Sequence, residues 1–171
     1  MSRADNNSFK IVIADDSADD RFLFKNAISL VPRLEVVAEV TNGTEAIAYL
    51  HGLGQFADRQ RFPLPDMLLL DLKMPFKDGF DVLESMRSRS FKNMLVVVLT
   101  DSLRTDHVKR ALDMGADYYL VKSRMHDDRH AMARAFEEYL TRVSRLAYLP
   151  TPAPTLQPPV PATREKSLAT F

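Results

Sequence analysis

The chain has 171 residues, 46% of them hydrophobic, enough to bury the core of one domain but cramped for two. Lysine plus arginine (23) balances aspartate plus glutamate (23), and this zero net charge speaks against a general nucleic-acid or anionic-membrane surface. There is no cysteine, hence neither a disulfide framework nor thiolate chemistry; the polar start MSRADNNSFK lacks the apolar core of a signal peptide. No apolar run approaches the roughly 20 residues that span a bilayer, so a cytoplasmic protein with no membrane or nucleic-acid partner is expected.

Residues 1–7 read as a disordered N-terminus. FKIVIADD (9–16) is a short β-branched run that reads as a buried strand. Ser17 followed by Asp20 has the spacing of a helix cap, with the helix starting at about Ala18 and Leu23, Phe24, Ala27, Ile28 and Val31 on its apolar face. LEVVAEV (34–40) is the second strand. GLG at 52–54 is too short for a phosphate loop and more simply ends the second helix. DMLLLD (66–71), MLVVVLT (94–100) and DYYLVK (117–122) are the remaining strands. Between the last two, Val108, Ala111, Leu112 and Gly115 share a helical face. A long final helix is expected from about Met125 to Tyr148, with Met132, Phe136, Tyr139, Leu140 and Val143 as its apolar stripe. Beyond it, PTPAPTLQPPVP holds six of the ten prolines, so 148–171 reads as a disordered proline-rich tail. Five apolar strands alternating with five helices predict an α/β fold, a doubly wound parallel sheet with helices on both faces.

Within that architecture LLLDLKMP (68–75) poses a problem, because an unpaired charge after three leucines is costly to bury. Sites in open α/β sheets lie outside the carboxyl ends of the strands. Asp71 closes the third strand, Asp15 and Asp16 the first, Thr100 the fourth and Lys122 the fifth. Each has a bland explanation: a turn, a helix cap, or a lysine reaching solvent from a strand end. Their common placement at one edge favours a joint role. Three crowded carboxylates need a cation, and a hard oxygen set suits Mg²⁺. A carboxylate so placed can accept a phosphoryl group, with Mg²⁺, Lys122 and the Thr100 hydroxyl holding the acyl phosphate on Asp71.

These motifs, the Asp15-Asp16 pair, Asp71 in LLLDLKMP, Thr100 in VVVLTD and DYYLVK ending in Lys122, resemble the response-regulator receiver family of two-component signalling over residues 8–147. The resemblance implies a flavodoxin-like five-stranded sheet of order 2-1-3-4-5. It further implies that Asp71 is the phosphoacceptor and that Asp15, Asp16, Asp71 and the backbone carbonyl of Lys73 hold Mg²⁺. Thr100 and Lys122 would stabilise the phosphoryl group, with Thr100 and Tyr119 as the switch pair. Lys73, Asp101 and Ser102 fall where the family tunes the lifetime of the acyl phosphate. The donor would be a sensor histidine kinase or a phosphotransfer protein. The insertion HGLGQFADRQRFPLPD resembles single-domain regulators that partner phytochrome-type kinases. Signalling is then expected by protein contact on the face of the fourth helix, fifth strand and fifth helix, which also implies a homodimer. Such a protein is no enzyme beyond its own phosphorylation and dephosphorylation.

Two positions depart from the family pattern: Ser123 stands where proline usually follows the lysine, and Asp101 where a very small residue follows the threonine. Both support an alternative, a receiver-like interaction module that works without phosphorylation. An aspartate-nucleophile phosphatase wants a second acid two residues after the nucleophile, and Lys73 occupies that place. His126 and His130 are one helical turn apart, yet no third metal ligand accompanies them. Arg129, Arg134, Arg142 and Arg145 interleave with acids and read as a solvated face.

Overall fold

A computed structural model of the chain describes residues 8–87, 91, 93–101, 104–122 and 129–147, the last helix by backbone alone at 129 and 143–147. Five strands, β1 (Phe9–Ala14), β2 (Leu34–Val40), β3 (Met67–Asp71), β4 (Leu95–Thr100) and β5 (Tyr118–Val121), form one parallel sheet in the order β2-β1-β3-β4-β5. Helices α1 (Ala18–Ser29), α2 (Gly43–His51), α3 (Gly79–Arg87), α4 (Thr105–Asp113) and α5 (Arg129–Ala147) fill the crossovers and the C-terminal side. The expected fold and strand order are both present.

Strand alternation divides the core in two. Ile11, Ile13, Met67, Leu69, Val97 and Leu99 pack with Phe24 and Ile28 of α1 and Phe136 and Leu140 of α5. Val12, Leu68, Leu70, Val96 and Val98 pack on the opposite face with Tyr49 of α2, Leu83 of α3 and Ala111 of α4. Every residue of β3 and β4 is buried, as expected of central strands covered on both sides.

Ser17 caps α1, its Oγ accepting from the Asp20 N–H at 3.2 Å. Gly52, at φ 64, ends α2 in the left-handed conformation that a residue with a Cβ resists. The insertion after it is a folded flap. Tyr49, Phe56 and Phe62 meet ring to ring at 5.2–6.1 Å, and the Arg59 guanidinium donates to the carbonyls of Tyr49 and Leu50 at 2.8 Å each. The fourth helix departs from expectation. Of Val108, Ala111 and Leu112 only Ala111 is buried, and Leu112 is 44% exposed. Residues 111 and 112 lie about 100° apart around a helix, and α4 meets the sheet along a stripe narrow enough to cover only the first. The proline-rich tail, Ser102, Ser123 and His126 lie outside the described residues.

Candidate functional site

The alternation that builds the core also aims the charges. Asp15 follows Ile11 and Ile13 in parity, Asp71 follows Met67 and Leu69, and Lys122 follows Leu120, so all three continue the row facing α1 and α5. Asp71 pairs with Leu99 across β3 and β4, and Thr100 with Val121 across β4 and β5, which sets the strand ends side by side. Asp15, Asp71, Thr100 and Lys122 are all buried. Asp16, next along the chain, is exposed.

Lys122 Nζ is the hub. It lies 2.7 Å from Asp15 Oδ2, 3.1 Å from Asp71 Oδ2 and 3.1 Å from Asp20 Oδ2. It donates hydrogen bonds to the latter two and makes its shortest ion pair with Asp15. The other oxygens are held by the backbone: Asp71 Oδ1 accepts from the Lys73 N–H at 3.2 Å and Asp15 Oδ1 from the Ser17 N–H at 2.9 Å.

One ammonium among three carboxylates leaves burial under-compensated. Desolvation lifts the Asp71 carboxyl to about 6, with Asp15 adding to the lift and Lys122 opposing it. Burial raises Asp15 as well, against the pull of Lys122. At Lys122 burial acts downward, yet the combined carboxylates outweigh it and hold the amine above its ordinary range, so it stays charged. Asp15, Asp16 and Asp71 each bring an oxygen to within 4.8 Å of the others. An all-oxygen carboxylate set of this kind fits a small hard divalent cation.

Backbone contacts fix the loop beyond Asp71. A Cβ on Gly79 would sit 2.4 Å from the Asp71 carbonyl oxygen, so the start of α3 lies directly against the end of β3. Likewise a Cβ on Gly43 would sit 2.1 Å from the Lys77 carbonyl oxygen, to which the Gly43 N–H donates at 3.0 Å.

Of the residues marked from the sequence, the fold gathers Asp15, Asp16, Asp71 and Lys122, with Thr100 at the adjoining strand end. Tyr119, one strand over, is half-buried against the α2–α4 core. Lys73 is exposed, and its backbone N–H donates to Asp71 Oδ1. Asp101 is exposed too, so it adds no buried carboxylate to the site. One member was missed. Asp20 does complete the expected cap through its N–H on Ser17, and its carboxylate in addition reaches Lys122, which the cap spacing did not suggest. The signal was a third acid within five residues of Asp15, more than a cap requires.

The profile of the response regulator receiver domain matches residues 11–134. The nitrate/nitrite response regulator NarL of Escherichia coli is 34% identical over 118 residues, 69% of this chain but 50% of NarL, so the chain spans half that relative's length. Response regulator Rcp1 of Synechocystis is 30% identical over 140 residues, 81% of this chain and 93% of Rcp1. The Mn²⁺-bound structure of Rcp1 superposes with a TM-score of 0.66 at 29% identity, covering 85% of this chain and 99% of that one. The phosphorylated cyanobacterial phytochrome response regulator RcpA gives a TM-score of 0.69 at 32% identity over 80% of this chain and 96% of that one.

Proposed function

The chain belongs to the response-regulator receiver family, and on that premise we propose that it is a phosphorylation switch with Asp71 as the phosphoacceptor. The observation that carries this reading is the position of Asp71: buried, at the end of a central strand, with Lys122 Nζ 3.1 Å away and two further carboxylates within 4.8 Å. An Asp71 oxygen attacks phosphorus, the P–N bond of a phosphohistidine breaks, the imidazole leaves with the electron pair, and an acyl phosphate remains. With its carboxyl near 6, Asp71 is ionised and nucleophilic at neutral pH. Lys122 and the Thr100 hydroxyl receive the new phosphoryl oxygens. Asp15, Asp16, Asp71 and the Lys73 carbonyl would hold Mg²⁺, which supplies charge neutralisation for those oxygens. The Mn²⁺-bound structure of Rcp1 supports a divalent cation here. Lys73, Asp101 and Ser102 tune the lifetime of the phosphorylated state, and the protein catalyses nothing beyond its own phosphorylation and dephosphorylation.

The donor is a cytoplasmic histidine kinase or phosphotransfer protein; the likeness to RcpA, named for phytochrome, supports a phytochrome-type kinase. Thr100 and Tyr119 pass the change to the α4-β5-α5 face. There Tyr118, 42% exposed, meets Tyr139 edge-on at 5.5 Å above a hollow of about 440 Å³. A second copy of the chain seats on that face, and phosphorylation strengthens the homodimer. Incubation with Mg²⁺ and acetyl phosphate, read by intact mass, should add one phosphoryl group to the wild type and none to Asp71→Asn. No adduct on the wild type, from this donor or any kinase, would overturn the switch.

A further inference from the structure

The hollow between β5 and α5 has a chemistry of its own. Leu120, Met132 and Phe136 give it an apolar lining, and the Tyr118 and Tyr139 rings meet at 89°, leaving an angular aromatic slot rather than a flat face. Its polar lining is mostly donors: the two phenol hydroxyls and the Arg142 guanidinium can donate, against one carboxylate, Glu138.

The same chain carries the complement. Helix α5 ends at Ala147, and the stretch from Tyr148 to Thr163 that follows holds six prolines and no charged side chain. Within it Pro158-Pro159-Val160-Pro161 sets two prolines three positions apart, one turn of a polyproline II helix. Prolines have no N–H, so the carbonyls of such a segment take their donors from elsewhere, and grooves lined by aromatic rings are what recognise it.

We propose that residues 158–161 seat in this hollow within their own chain, the proline rings against Tyr118 and Tyr139 and the carbonyls accepting from the phenols and Arg142. The length of chain suffices. From Ala147 back to Tyr139 is about 12 Å of helix, while the stretch from Ala147 to Pro158 reaches about 34 Å when extended. A tether of that length holds the segment at an effective concentration in the millimolar range, so a contact too weak to form between separate molecules is filled within one. That advantage favours the chain's own tail over a proline-rich segment of another protein. The contact needs no phosphorylation of Asp71. Its consequence falls on the proposed homodimer, because a seated tail and a second copy exclude each other from the face.

The chain has no cysteine, so Ala162→Cys accepts a single nitroxide label in the full-length protein. In dilute ¹⁵N-labelled protein without a phosphodonor, the backbone amide signals of Leu120, Phe136 and Tyr139 should lose most of their intensity and recover it when the nitroxide is reduced. Replacing Pro158, Pro159 and Pro161 together by serine should restore the signals with the label still active. Full intensity in the labelled wild-type tail overturns the proposal. Loss that persists in the serine variant overturns it too, since tethering alone then brings the label close. In a mixture of ¹⁵N-labelled chains without nitroxide and unenriched chains with it, no loss is expected; loss there would assign the tail to a second copy and contradict seating within one chain.

Discussion

Asp71 and Phe76 are five residues apart and invert each other's normal environment. The carboxylate is buried at the end of an apolar strand, and the aromatic ring stands in solvent. The first is tolerated because Lys122, Asp15 and Asp20 converge from three other elements to form a network around it. The second is held by backbone contacts to Gly43 and Gly79 that force a turn its side chain would not choose. Both exceptions to ordinary burial sit on one short segment. The proposed phosphoryl transfer would account for the first.

The two regions should respond differently to substitution. The largest effect falls on their shared backbone. Gly79→Ala places a methyl 2.4 Å from the Asp71 carbonyl oxygen and 2.8 Å from Leu72 Cα, neither of which can move without breaking β3. A loss of about 3 kcal/mol in urea unfolding is expected. Lys122→Met comes next. It strands three carboxylates without a cation and should cost about 2 kcal/mol at pH 8, the cost shrinking toward pH 5 as Asp71 takes up a proton.

Asp71→Asn should act in the opposite direction. Its carboxyl is raised to about 6 in the fold, from 3.8 in the unfolded chain. The stability that this group contributes is complete below about pH 3.8 and is lost as pH rises through 6. Removing the charge should therefore stabilise the protein by roughly 2 kcal/mol at pH 8 in EDTA, with the gain vanishing near pH 4. Equal gains at both pH values would contradict the burial account. Phe76→Gly should give the smallest change, a stabilisation of about 1 kcal/mol from relief of the turn, partly offset by the greater freedom of glycine in the unfolded chain. A destabilisation would mean that the ring makes contacts within the chain.

Much of the buried region is legible in the sequence, and little of the exposed one. Runs such as MLLLD and LVVVLT are covered on both faces, so local composition and tertiary burial agree, and the strand ends then mark the site. Asp20 escaped because a cap with Ser17 explained it locally, while its partner Lys122 lies 102 residues away. Leu112 shares a helical face with Ala111 yet is exposed, because helical periodicity gives a face but not its width. Phe76 gave no signal at all, since its φ depends on how closely the Gly43 and Lys77 backbones approach.

Four carboxylates, Asp15, Asp16, Asp20 and Asp71, lie at or near this strand edge, and Asp71 is the proposed phosphoacceptor. Sodium borohydride reduces an acyl phosphate to an alcohol, so phosphorylation with acetyl phosphate and Mg²⁺, reduction and peptide mapping would locate it. Homoserine is expected at position 71 alone; homoserine at 15, 16 or 20, or at none of the four, would contradict Asp71 as the phosphoacceptor.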